Sequence, residues 1–276
     1  MRYETIEARP ISPVIGAEID GVDISRPLDT RTFEEIHDAL MTYQVIFFRD
    51  QELTLDQHKA FGRRFGELHI HPSSPAPAGH PEVVVVHADE KTTRIAGQYW
   101  HTDVSCDEEP PMGSILHLHK VPSPGGDTMF ASMYAAYEAL SDGMKAILSG
   151  LKAWHESEHV HKNRFGHLGK HRDGNNPYPS ALQPIVRTHP VTGRKALYVN
   201  STFTTRIEGL SKNESDAILE MLYRHIETPK FHCRFPWRKN SVAFWDNRCT
   251  QHLALWDYYP EVRSGYRVTV KGDRPF

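Results

Sequence analysis

The stretch Trp100-His101-Thr102-Asp103, taken together with His252, decides how this chain folds. His101 and Asp103 are two positions apart. On an extended strand such residues point to the same face, so an imidazole nitrogen and a carboxylate oxygen can converge on one point. Two donors leave a metal ion under-coordinated, and a second histidine from elsewhere would complete a set of three. His252 lies 149 residues after Asp103 (252 − 103), which puts it on a separate strand of the same barrel. Many short strands with a few helices at the edges predict a mainly β, α+β chain with a β-sandwich or jelly-roll core. The His-x-Asp pair is weak evidence by itself, because 18 His and 35 Asp plus Glu make a chance occurrence easy.

Composition narrows the classes. At 276 residues the chain reads as one domain, 1–276, long enough to bury a sizeable core. A formal charge of −3 and 24% charged residues leave no basic excess to attract nucleic acid. Met1-Arg2-Tyr3-Glu4 has no apolar leader character, and the uninterrupted apolar runs at 45–48 and 83–86 are far short of a membrane span. Three cysteines, Cys106, Cys233 and Cys249, lack C-x-x-C spacing and fit a reducing cytoplasm.

Local patterns supply the elements. Thr32-Phe33-Glu34-Glu35 reads as a capping box opening a helix with apolar residues at Phe33, Ile36, Leu40 and Tyr43. Thr54 with Gln57, and Ser211 with Glu214, open two more helices, while Ser132 and Ser141 cap shorter ones. Segments 45–48, 83–86, 115–119 and 129–131 read as strands, as do five segments between 185 and 271. Leu68-His69-Ile70-His71-Pro72 sets two histidines on one face of an extended segment. Pro122-Ser123-Pro124-Gly125-Gly126-Asp127-Thr128 reads as a tight turn. Residues 154–184 are rich in His, Gly, Asn and Pro with no clear period, which predicts a lid or excursion. The five histidines from His155 to His171 have no carboxylate at a recognised ligand spacing, so no zinc site is expected there.

The second decisive region is Trp245-Asp246-Asn247-Arg248-Cys249-Thr250-Gln251-His252, followed by Arg263 and Arg267. The two arginines are four apart, so on one strand they point the same way. A guanidinium grips a carboxylate bidentately and stays charged. Two histidines and one carboxylate with open positions are the ligand set of non-haem Fe(II) oxygenases. A dianionic cosubstrate such as 2-oxoglutarate needs a cationic anchor for its distal carboxylate while its 2-oxo acid end chelates the iron.

With these residues together, the chain resembles the taurine dioxygenase and 2,4-dichlorophenoxyacetate dioxygenase family of Fe(II)- and 2-oxoglutarate-dependent oxygenases. The matching stretches are Phe65-Gly66-Glu67-Leu68, Trp100-His101-Thr102-Asp103, Pro110-Pro111, Gly125-Gly126-Asp127-Thr128, Tyr198-Val199-Asn200, Trp245-Asp246-Asn247-Arg248 and His252. The resemblance implies a double-stranded β-helix (a cupin-like jelly-roll), with His101, Asp103 and His252 as catalytic iron ligands. It implies that Thr128 and Arg263 bind 2-oxoglutarate, that O2 is consumed, and that succinate and CO2 are released as a C–H bond is hydroxylated. It further implies that His71, Phe203 and Arg267 contact a small anionic substrate, and that the chain forms a homo-oligomer, dimer or tetramer.

Two positions depart from the taurine enzymes. Ser74 stands where a tyrosine is expected and Gly97 where an asparagine is expected. Both changes remove polar contacts and enlarge the pocket, so the expected substrate is a bulkier anion than taurine: a longer alkylsulfonate or related organosulfur compound, an alkyl sulfate, or an aryloxyalkanoate. A metal-binding jelly-roll hydrolase built on the same three ligands is the remote alternative, but it would have no use for the Thr128 and Arg263 pair.

Overall fold

The structure is a computed structural model and describes residues 3–71, 74–165 and 178–276. Its strands in chain order are β1 (Glu7–Pro10), β2 (Ala17–Asp20), β3 (Val45–Phe48), β4 (Val83–Ala88), β5 (Gly113–Lys120), β6 (Thr128–Ser132), β7 (Lys152–Glu156) and β8 (Ser180–Pro184). They continue as β9 (Val186–Thr188), β10 (Lys195–Leu197), β11 (Thr204–Ile207), β12 (His232–Phe235), β13 (Ser241–Asp246), β14 (Thr250–Ala254) and β15 (Arg263–Val270). The helices are α1 (Thr30–Tyr43), α2 (Leu55–Arg63), α3 (Met133–Glu138), α4 (Asp142–Leu148), α5 (Glu158–Phe165) and α6 (Lys212–Ile226).

Two sheets position the site. The larger has the order β1-β2-β3-β13-β5-β15-β4, and the smaller is β12-β6-β14. In the larger sheet every pairing is antiparallel except the parallel contact of β2 with β3. Strands β3 and β13 are buried at every residue, as runs without a polar alternate face must be when both sides of a sheet are covered. Alternation divides their side chains between two cores. Ile46, Phe48, Val242 and Phe244 pack with Ile36, Leu40 and Phe61 of α1 and α2. Val45, Phe47, Ala243 and Trp245 pack with Phe130 and Phe235 from the smaller sheet. Phe47 stacks on Phe235 with ring centroids 3.8 Å apart, and its edge meets Phe130 at 5.6 Å. The two sheets therefore face each other through an aromatic layer in the jelly-roll manner, but they do not close into the barrel that the sequence reading supposed for His252.

A third core lies behind the smaller sheet. There α3, α4 and α6 bury Tyr134, Leu148, Leu219 and Leu222 against Leu197 and Val199. Two smaller sheets, β11-β7-β8 and β10-β9, complete this side.

Several local expectations are refined. The cap of α1 is Asp29, whose carboxylate accepts the Thr32 N–H at 2.8 Å, so the helix starts before the Thr32 box. Glu35, read as the closing member of that box, instead accepts backbone N–H groups from Glu4 and Thr5. Thr54 and Gln57 do form a capping box, and the Glu214 carboxylate takes the Ser211 N–H at 2.9 Å. The stretch 154–184 has no period in its sequence, yet its ends are regular: β7 pairs antiparallel with β8, and α5 follows β7. Residues 166–177 of that stretch lie outside the described residues. Among the described residues no helix is long and apolar enough to cross a membrane.

Candidate metal centre and active site

His101 and His252 meet as a cross-strand pair. The His101 N–H donates to the His252 carbonyl at 3.2 Å, and the His252 N–H returns to the His101 carbonyl at 2.9 Å. The Ala254 N–H likewise donates to the Gly97 carbonyl at 2.7 Å, so the segment before His101 runs alongside β14. Residues directly opposite in an antiparallel pairing hold their side chains on the same face. Accordingly the two imidazole centroids are 4.1 Å apart.

Asp103 lies just beyond this bridge. His101 makes an isolated bridge, and Asp103 opens a turn in which Val104 adopts φ 48°. The carboxylate nevertheless converges on the Nε2 edges of both imidazoles, as the two-residue spacing anticipates. Asp103 Oδ1 lies 3.7 Å from His101 Nε2 and 3.9 Å from His252 Nε2. One ligand atom from each of the three residues falls within 4.8 Å of the other two, a spacing that a single cation can bridge.

The surroundings suit a metal. His101 Nδ1 is 2.8 Å from the Tyr99 carbonyl, which orients the ring and leaves Nε2 for an ion. The His252 ring is packed by Trp245 at 4.7 Å and Phe130 at 6.2 Å. Burial lowers the pKa of both histidines, and for His252 the neighbouring His101 adds to the shift, so both rings are held in the neutral form that binds metal. Burial alone would raise the pKa of Asp103. The Arg267 guanidinium, the two imidazoles and the Ser114 hydroxyl reverse that and hold it well below the usual carboxylate range. Ser114 Oγ donates to Asp103 Oδ2 at 2.7 Å, and the Asn247 amide donates to Ser114 Oγ at 3.3 Å, which ties down one carboxylate oxygen and turns the other toward the histidines.

Two guanidiniums project from β15 to this inner face. Arg267 Nη1 donates to Asp103 Oδ1 at 2.8 Å, and its buried Nε has no partner among the described residues. Arg263 is 5% exposed and donates from Nε to the Gly126 carbonyl at 3.0 Å and from Nη2 to Thr128 Oγ1 at 3.3 Å. No carboxylate within ion-pair distance of Arg263 is found among the described residues. Burial pulls its guanidinium down to about 10, the signature of a desolvated cation short of a counter-ion. Thr128 Oγ1 also accepts the Trp237 indole N–H at 3.0 Å. With two donors already pointing at it, the Thr128 hydroxyl has its own hydrogen to give to an anion. Gly126 makes room for this arrangement: it sits at φ +73°, and a Cβ there would lie 3.2 Å from Arg263 Cδ. A buried cation beside a free hydroxyl donor fits the distal carboxylate of 2-oxoglutarate.

Phe203 lies in the loop before β11, next to Thr202, whose hydroxyl donates to the Trp100 carbonyl at 3.1 Å. His71 accepts the Ser74 N–H at Nδ1, 3.0 Å away, and its ring lies 6.3 Å from that of His69. His69 in turn is lowered by burial and by Arg267, so it sits within electrostatic reach of the centre. Pro72 and Ser73 lie outside the described residues. Gly97 adopts φ +82°, and a Cβ there would lie 3.1 Å from His101 Cε1 and 3.6 Å from Nε2. Any side chain at this position would crowd the coordinating edge of His101.

Ser114, Asn247 and His69 were missed as site residues. The available signal for Ser114 was a hydroxyl directly before the apolar pair Ile115-Leu116 at the head of the strand.

A second cluster, His189, Asp246 and Cys249, has metal-like composition but not metal-like bonding. His189 Nδ1 accepts the N–H groups of Val191 and Thr192, so Nε2 carries the proton and donates to Asp246 Oδ2 at 3.1 Å. Arg248 takes both oxygens of Asp246. Its donors are spent on each other, and the cluster anchors β13. Of the histidines after residue 154, His155 bonds two hydroxyls and His159 the Thr202 carbonyl, while His167 and His171 lie outside the described residues.

Comparison with known proteins places the geometry in context. Residues 7–269 match the family described as "Taurine catabolism dioxygenase TauD, TfdA family". The alpha-ketoglutarate-dependent sulfate ester dioxygenase of Pseudomonas putida is 34% identical over 286 residues, covering 98% of this chain and 91% of its own. The alpha-ketoglutarate-dependent 2,4-dichlorophenoxyacetate dioxygenase of Cupriavidus pinatubonensis is 31% identical, covering 90% of this chain and 91% of its own. The crystal structure of a taurine dioxygenase from Burkholderia xenovorans superposes with a TM-score of 0.85 at 39% identity, covering 99% of this chain and 91% of its own.

Proposed function

This chain belongs to the TauD/TfdA family of 2-oxoglutarate-dependent dioxygenases, and on that premise we propose that it hydroxylates the carbon beside the acidic group of an organosulfur anion larger than taurine. It is an oxidoreductase that uses Fe(II), 2-oxoglutarate and O2. The iron would supply the chemistry by which O2, 2-oxoglutarate and a substrate C–H bond become succinate, CO2 and a hydroxylated product, one oxygen atom going to succinate and the other to the product.

The residues divide the work. His101, Asp103 and His252 would hold the iron. Arg263 and the Thr128 hydroxyl receive the distal carboxylate of 2-oxoglutarate. Arg267 receives the substrate anion, with His71 and Phe203 lining the pocket. Neutral imidazoles and an ionised Asp103 need no proton transfer before metal binding near neutral pH. The observation that carries this reading is the buried guanidinium of Arg263 at Thr128 together with the half-buried guanidinium of Arg267 at Asp103, in the His101–Asp103–His252 cluster. Two cations serve two anions.

Gly97 supports a bulky substrate, because the absent side chain leaves the His101 edge clear. Hydroxylation at a C–O–sulfate carbon gives a hemiacetal sulfate that collapses to an aldehyde and sulfate. At a C–sulfonate carbon the products are an aldehyde and sulfite. An aryloxyalkanoate, the kind of substrate named for the Cupriavidus relative, would release a phenol. Three free, buried cysteines support a reducing cytoplasm. Assembly into a dimer or tetramer is part of the same proposal, by analogy with the family.

The reading is tested by separating the two arginines kinetically, with hexyl sulfate as prime substrate and succinate as readout. Arg263→Ala is expected to raise the 2-oxoglutarate KM by about 100-fold, the scale of losing a buried charge partner, with little effect on the hexyl sulfate KM. Arg267→Ala is expected to do the reverse. If both variants shift the same constant, the two-anion assignment fails.

A further inference from the structure

The loop from Asn200 to Thr204 grips both flanks of the His101-Thr102-Asp103 segment. Upstream, the hydroxyls of Thr202 and Ser201 donate to the Trp100 carbonyl at 3.1 and 3.4 Å. Downstream, Asn200 Nδ2 donates to Ser105 Oγ at 3.0 Å, two residues beyond Asp103. The other end of the same side chain, Oδ1, accepts the Phe203 N–H at 2.9 Å. The Asn200 backbone N–H donates to Thr204 Oγ1 at 3.0 Å. His155 closes the circuit, with Nδ1 2.9 Å from Ser105 Oγ and Nε2 3.2 Å from Thr204 Oγ1. Asn200 is 2% exposed, while Ser105 and His155 are fully buried. None of these groups is used by the metal or anion sites.

The turn they hold needs holding. Val104 at φ 48° is a β-branched residue in left-handed backbone, a conformation that persists only where its surroundings impose it. Gln183 adds to the restraint by donating to the carbonyls of Ser105 and Asp107 at 3.3 and 2.8 Å. A buried amide bonded at both ends links this turn to the neighbouring loop, and neither end is exposed to exchange its partner for water.

We propose that Asn200 is a positioning residue that locks the Asp103 turn to the backbone of Phe203, so that a metal ligand and the pocket aromatic are held as one unit. The part concerning Phe203 rests on the substrate reading above; the part concerning Asp103 does not. The test is titration of metal-free protein with Co(II), followed by visible absorption, for the wild type, Asn200→Ala, Ser105→Ala, their double variant and Phe203→Ala. The single variants Asn200→Ala and Ser105→Ala are expected to bind Co(II) about 10- to 100-fold more weakly, as outer-shell losses do. Because both remove the same contact, the double variant is expected to lie within about twofold of either single one. Phe203→Ala is expected to leave Co(II) affinity unchanged and raise the hexyl sulfate KM.

Wild-type Co(II) affinity in Ser105→Ala and Asn200→Ala, or losses that simply multiply in the double variant, would overturn the proposal. Should Asn200→Ala fail to fold, Ser105→Ala, which deletes one hydroxyl, carries the test. If Asn200→Ala weakens Co(II) while Phe203→Ala leaves the hexyl sulfate KM untouched, the linkage to Asp103 stands and the substrate role of Phe203 falls.

Discussion

Asp103 shows how one carboxylate is made to serve a metal. Ser114 takes one of its oxygens, Arg267 lies against the other, and burial keeps water from competing. The residue types of this centre were legible in the sequence, since His101, Asp103 and His252 have the right chemistry whatever the backbone does. Their orienting partners were not. A serine eleven positions from Asp103 and a backbone carbonyl at Tyr99 leave no pattern that a strand or helix period would reveal. Ser114→Ala is expected to weaken Fe(II) or Co(II) binding by about 10- to 100-fold with the fold retained, since it frees the second carboxylate oxygen to rotate. Calorimetric titration of the metal-free variant checks this, and wild-type affinity would show that Ser114 does not orient the ligand.

At the scale of elements, the centre depends on pairings that sequence spacing could not give. His101 and Asp103 do converge, as the His-x-Asp spacing expects, but from an isolated bridge to His252 followed by a turn rather than from a regular strand. The cap of α1 was misplaced for a related reason, because Asp29 and Thr32 both have cap chemistry and only the path of the chain decides between them. Strands such as β3 and β13 were plain, since a short run buried on both faces is apolar throughout.

A further consequence belongs to α2 and β5. His58 on α2 bonds the Ile115 carbonyl of β5 at 3.1 Å and lies 6.2 Å from His117. Burial, aided by the His117 ring, pushes His58 down to about 3, and burial, aided by His119, pushes His117 down to about 4. Both bind protons less readily in the folded chain than in the unfolded one. The stability they permit is present above the ordinary histidine pKa near 6.5 and is lost as pH falls from there toward 4. The Tm of metal-free protein is therefore expected to fall between pH 7 and pH 5, and His58→Gln to flatten that slope. A wild-type Tm that is level across this range would contradict the prediction.

For the molecule as a whole, two facing sheets supply a rigid frame. The larger contributes Arg263, Arg267 and Ser114, the smaller contributes Thr128 and His252, and an aromatic layer of Phe47, Phe130, Phe235 and Trp245 keeps them in register. The organisation into short strands with peripheral helices was legible from the alternation of buried runs and turn residues. The regular pairing of β7 with β8 was not, because Lys152–Glu156 and Ser180–Pro184 are too polar and too far apart to announce each other.

An organosulfur anion as substrate is the central claim. The direct measurement is succinate release by the wild type under air, with Fe(II), 2-oxoglutarate and ascorbate, across taurine, longer alkylsulfonates, alkyl sulfates and phenoxyalkanoates. Strong stimulation by a long alkylsulfonate or alkyl sulfate is expected, with weak stimulation by taurine and sulfite or sulfate released in step with succinate. Stimulation by a phenoxyalkanoate alone, with release of a phenol, would contradict the organosulfur assignment, and so would slow succinate formation that no member of the panel accelerates.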